Sequence, residues 1–93
     1  MNDEISLRFT RHALERLFQR EISPAECEFV FRNGKIIEKY PDDKPFPSEL
    51  RIGHTGSRVL HVVVALEGHI AHVITAYEPT LAIWDKNLER RNK

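Results

Sequence analysis

Apolar side chains recur at helical spacing early in the chain and at alternate positions later, so the sequence predicts helices followed by strands. Thr10 is a good N-cap, and Phe9 before it can staple onto Leu14. Ala13, Leu14, Leu17 and Phe18 then make one apolar stripe, with His12, Arg16, Gln19 and Arg20 opposite. A second helix starts at Ser23-Pro24-Ala25-Glu26, a capping box with proline at the first helical position. Cys27, Val30 and Phe31 share its apolar side, and Asn33-Gly34 closes it with residues that tolerate left-handed backbone.

The period then shortens. Residues 35–40 read as a first strand, and three prolines between 41 and 47 make the next stretch a loop. Residues 50–54, 58–66 and 70–78 read as three further strands, the last ended by Pro79. Residues 81–84 and the charged tail 85–93 form a short helix or stay loose. Two helices ahead of a meander predict an α+β fold, with both helices on one face of a four-stranded antiparallel sheet. The turn of the last hairpin decides which residues meet. A two-residue turn pairs odd with even positions and puts His61 on a face with His72 and Ile74. A three-residue turn over Leu66-Glu67-Gly68 pairs odd with odd and gathers His61, Thr75 and Tyr77. Gly68 in third place fits the second.

Length confines the chain to one domain, with a core over about residues 7–84. At 41% hydrophobic and 30% charged, the composition is that of a globular domain and too apolar for a disordered tail. No apolar run is long enough for a membrane span. Cys27 is the only cysteine, which excludes an intrachain disulfide and, with no visible secretory leader, points to the cytoplasm. Its place in the second helix predicts burial.

The 14 basic and 14 acidic residues cancel, which argues against a strongly basic nucleic-acid binder. The distribution is uneven, however. Ten of the acidic residues lie in the first 50 positions, while residues 51–66 hold two Arg, two His and no acid. A local basic surface is therefore compatible with RNA. No metal or cofactor site is expected: none of the five histidines makes an i,i+4 helical pair, and no phosphate-binding glycine loop is present.

Two polar sets carry candidate chemistry. His12, Arg16 and Arg20 stack at i, i+4 and i+8 on the first helix, either as a plain solvent-facing stripe or as a phosphodiester site with an imidazole beside two guanidiniums. On the final hairpin stand Arg58, His61, Thr75 and Tyr77, where His61 interrupts an apolar strand and is either a structural or a working histidine.

Phe9-Thr10-Arg11-His12-Ala13-Leu14-Glu15-Arg16, the Pro41-Asp42-Asp43-Lys44-Pro45 loop with Pro47-Ser48, and the runs at 60–65 and 74–79 resemble a small bacterial domain-of-unknown-function family. That family is similar to the RelE-like and BrnT-like toxins, whose active members are metal-independent ribonucleases neutralised by a protein antitoxin. The resemblance implies a RelE-like fold and recurrent polar positions at His12, Arg16, His61, Thr75 and Tyr77. Glu21 stands where the family usually has glycine, so a slightly different link between the helices is expected.

The expected function is thus a cytoplasmic endoribonuclease toxin. His12 or His61 would serve as base and acid, Arg16 with Arg51 or Arg58 would hold phosphate, and Tyr77 would stack a base or relay a proton, with Arg20 and Thr75 in contact with substrate. Its partners would be RNA, a cognate antitoxin and, as an allowed state, a second copy. Trp84 either anchors the antitoxin or covers the edge of the core. The alternative is a non-catalytic protein-binding or regulatory module on the same fold.

Overall fold

Ser6–Phe9 is β1, a four-residue strand with no counterpart in the expected order of elements. The computed structural model describes residues 4–92. Thr10 ends β1 and caps α1 (Arg11–Gln19), its hydroxyl accepting from the Ala13 amide at 3.0 Å. Of the expected apolar stripe, Ala13 and Leu17 are buried, while Leu14 is half-exposed and Phe18 is 84% exposed. Phe9 packs against the core from β1 instead of serving only as a staple.

The helix ends in a Schellman motif. Ile22 N donates to Leu17 O at 2.9 Å and Glu21 N to Phe18 O at 3.1 Å, with Glu21 at φ 58°. That is the left-handed conformation glycine would adopt most easily, so the link keeps a glycine-type backbone without the glycine. In α2 (Pro24–Asn33) the capping box forms in both directions, Glu26 N to Ser23 Oγ at 3.1 Å and Ser23 N to Glu26 Oε1 at 2.9 Å. Gly34 closes α2 in extended backbone rather than left-handed, at φ −85° and ψ −175°. Glycine is needed there for space: a Cβ would lie 2.3 Å from Ile52 O and 2.5 Å from Val30 O.

β2 (Lys35–Tyr40), β3 (Ser48–Thr55), β4 (Arg58–Glu67) and β5 (Ile70–Tyr77) follow as an antiparallel meander. The sheet has five strands in the order β1-β5-β4-β3-β2, with β1 parallel to β5. The expected four-stranded, wholly antiparallel sheet is corrected on both counts. β1 covers only Ile70 to Val73, which leaves the second half of β5 as a free edge.

The last hairpin also departs from expectation. Glu67 pairs with Ile70, so the turn is the two-residue Gly68-His69, not the three-residue form. Gly68 is left-handed at φ 59°. A bulge then reverses the parity: Val64 pairs with Val73, but Val63 pairs with Thr75, leaving Ile74 as the extra residue. Beyond it His61 stands opposite Tyr77 after all.

Both helices share a core with one sheet face, where Leu17, Ile22, Cys27, Val30 and Phe31 meet Leu60, Val62, Val64, Ala71, Val73 and Ala76. The pleat turns Leu50, Ile52 and His61 to the far face. The segment after β5 crosses that face as turns rather than a helix or a loose end, bridging Trp84 to Arg91 and burying Trp84 against His61.

Candidate functional site

The far face carries a cluster of polar and aromatic groups around the end of β5. His61 is completely buried, with its ring edge-on to Trp84 (centroids 4.5 Å apart) and to Tyr77 (5.3 Å). Nε2 lies 2.7 Å from Leu88 O, an acceptor only, so Nε2 carries the proton and donates it. Nδ1 is then the acceptor in the neutral ring, 3.3 Å from the Tyr77 hydroxyl. Burial holds His61 below the usual imidazole value, against the opposing pull of the Leu88 carbonyl. Burial likewise raises the Tyr77 phenol, partly offset by the charges of Arg91 and Arg20. At neutral pH both groups are uncharged, with a proton poised from phenol to imidazole.

Arg91 lies over the Trp84 ring at 4.7 Å and approaches Glu38 at 3.5 Å. The Tyr40 hydroxyl donates to the other oxygen of Glu38, and burial raises the Tyr40 pKa. Glu38 and Tyr40 reach this face because they alternate along β2, opposite Leu50 and Ser48.

On the helix side, Arg20 at the end of α1 donates through Nη1 to Thr75 Oγ1 and to Ala76 O, both at 2.9 Å. This ties the Arg20 end of the His12, Arg16 and Arg20 stripe to the unpaired half of β5. His12 and Arg16 are solvent-exposed. The structure therefore brings together Arg20 with Thr75, and His61 with Tyr77, along one edge of the sheet.

Arg51 and Arg58 lie elsewhere. Arg51 is on the helix-packed face, held by Glu49 at 2.5 Å and Phe31 O at 2.6 Å, with its guanidinium 4.2 Å from the Phe31 ring centroid. Arg58 is shared among Glu26 (2.8 Å), Glu78 (3.0 Å) and Glu21 O (2.7 Å). Both donor forks are occupied inside the domain, so neither is presented to a phosphate.

Glu38, Tyr40 and Arg91 were not among the expected site residues, and Trp84, expected as an antitoxin anchor or a cover for the edge of the core, is buried over His61. The signal for the first two is their two-residue spacing in a predicted strand; Arg91 has none, because the path of the last segment is set by tertiary packing. Cys27 is buried in the core, and burial pushes its thiol up to about 11. Among the described residues no three His, Cys, Asp or Glu side chains converge as a metal site, and no helix is long and apolar enough to cross a membrane.

Fold and site together define a small α+β domain with one helix-packed sheet face and one polar, aromatic face. The chain belongs to the family described as Domain of unknown function (DUF4258), whose model matches residues 9–78. His12, Arg16, Arg20, His61, Thr75 and Tyr77 all lie within the match, and Trp84, Leu88 and Arg91 lie beyond it. No curated protein and no solved structure matches the chain.

Proposed function

We propose that this domain is a metal-independent endoribonuclease of RelE-like type, the toxin of a toxin–antitoxin pair acting in the cytoplasm. The observation that carries the reading is the pair of contacts at the free edge of β5, Arg20 with Thr75 and Tyr77 with His61, which sets a cation beside a phenol–imidazole pair, with the exposed His12 and Arg16 on the same helix face as Arg20. Cleavage of RNA by its own 2′-hydroxyl needs a base, an acid and cations around the phosphorus. Arg16 and Arg20 supply the cations. The 2′-oxygen bonds to phosphorus as its proton passes to the Tyr77 oxygen, while the phenol proton moves to His61 Nδ1. The P–O5′ bond breaks, and protonated His12 gives its proton to the leaving 5′-oxygen. The products are a 2′,3′-cyclic phosphate and a 5′-hydroxyl. His61 does not touch RNA and works through Tyr77.

The test is growth arrest on induction, together with cleavage of RNA by purified protein in the presence of a chelator. His12→Ala and Tyr77→Phe are each expected to slow cleavage by about 10²–10⁴-fold. His61→Gln is expected to alter the acid limb of the pH profile, a change that loss of a merely structural histidine would not produce. An inactive wild-type protein removes the reading.

The complete burial of His61 favours one rival, a non-catalytic module that binds a partner protein. In that case RNA is neither cut nor bound, and His61→Gln lowers stability alone.

A further inference from the structure

The loop after β2 leans over the far face at the opposite end of β5 from Tyr77 and borders an open cavity of about 340 Å³. Phe46 from the loop and His72 from β5 stand with ring planes 11° from parallel and centroids 6.0 Å apart. His72 Nε2 donates to Glu67 Oε1 at 2.8 Å, which fixes the imidazole plane. Ala65 and Ile74 give the cavity an apolar floor. Asp43 and Ser48 close one side, with the Ser48 hydroxyl donating to Asp43 Oδ2. A carboxylate accepts at both oxygens, so this contact leaves acceptor sites on Asp43.

We infer that this cavity is a subsite for a guanine base. The inference rests on the RNA reading above and adds a base preference to it. Near-parallel flat rings on an apolar floor are what a nucleobase stacks on. Of the charged groups that line the cavity, Asp43, Lys44 and Glu67, the last already holds His72, and the Asp43 carboxylate, an acceptor with no donor of its own, suits a base edge with two adjacent donors. Guanine offers N1–H and N2–H side by side, whereas adenine and cytosine each offer one exocyclic amine next to an acceptor. Uracil offers a single N–H between two carbonyls.

The register ties the subsite to Tyr77. The pairs Ala65/His72, Val63/Thr75 and His61/Tyr77 follow one another on the same face because the Ile74 bulge restores the parity. Two such steps span about 13 Å at the usual strand rise. An RNA strand lying along β5 with its scissile phosphate at Tyr77 carries a nearby base to Phe46 and His72.

The experiment is calorimetric titration of the full chain with the four nucleoside 5′-monophosphates. Guanosine monophosphate is expected to bind at least about tenfold more tightly than the others, since unpaired polar groups penalise the wrong base edge. Asp43→Asn is expected to bring all four within about twofold, because the amide presents a donor to guanine's donors. Phe46→Ala is expected to weaken all four by about fivefold or more through lost stacking. Equal affinities in the wild type, no binding at all, or a guanine preference that survives Asp43→Asn each overturns the subsite. The outcomes separate from those of cleavage. Guanine binding without RNA cleavage sinks the nuclease and keeps the subsite, whereas cleavage without guanine preference does the reverse.

Discussion

Glu21 holds a left-handed backbone at a position where it has nothing to gain from being glutamate. Its main chain does the work, closing the Schellman motif and accepting from Arg58. A non-glycine residue in that conformation costs about 1–2 kcal/mol, and glycine loses some of this back in unfolded-state freedom. Glu21→Gly is therefore expected to raise stability by about 0.5–1 kcal/mol in urea unfolding, with Glu21→Ala giving no such gain. Gly34 predicts the opposite. Its Cβ would collide with two carbonyl oxygens fixed by α2 and β3, so Gly34→Ala is expected to be strongly destabilising in the same assay. Cys27 is sealed in the core with a raised pKa, and a thiol reagent is expected to label it only at the rate of unfolding. Residue by residue, burial of Cys27 and the caps at Thr10 and Ser23 were legible, because each depends on near neighbours in sequence. The fate of Arg51 and Arg58 was not. Their partners sit on other elements, and a guanidinium looks equally free in a sequence whether or not it is already held.

At the scale of elements, Glu26 links three of them. It closes the capping box of α2, accepts from Thr55 at the end of β3 at 2.8 Å, and binds Arg58 at the start of β4. The Ser23 amide first, then Arg58 and Thr55, bring its pKa down from 4.5 to about 2. Because the folded value is below the unfolded one, this stabilisation is complete above about pH 4.5 and is lost as pH falls towards 2. Glu26→Gln is expected to flatten the stability–pH curve in that window, while Ser23→Ala costs about 1 kcal/mol across the whole range. The helices and the meander could be read from period and punctuation. β1 could not, since four residues with a charge among them make a strand only when β5 is there to pair with. The last hairpin shows a different limit. Gly68 marked the turn but not its length, and the bulge that turns Tyr77 towards His61 leaves no mark on the alternation around Ile74.

For the molecule as a whole, the segment after β5 makes the far face a second, smaller core. Trp84 is 2% exposed over His61, and Trp84→Ala is expected to cost about 3–5 kcal/mol by thermal or urea unfolding. His61 beneath it is buried neutral, with a folded value below the ordinary 6.5. Its contribution is present above pH 6.5 and falls away as the pH drops below that, because the unfolded imidazole takes up the proton first. A His61→Phe variant is expected to lose this part of the acid sensitivity. The neutral total charge gains meaning at this scale too. Arg51 and Arg58, which made the middle of the chain look basic, are neutralised inside the domain, so the cations acting on Tyr77 are Arg20 on α1 and Arg91, itself paired with Glu38 on the far face. RNA affinity is accordingly expected to be modest and to fall steeply with salt. Finally, β1 is synthesised ahead of the other elements of the domain, and its pairing partner β5 comes after them all. Its register partners begin at Ile70, so Ser6–Phe9 has no strand to join until nearly the whole domain has been synthesised. A nascent chain cut short before β5 lacks the seat for β1, and premature termination leaves one edge of β4 and the whole of the first strand without their partner.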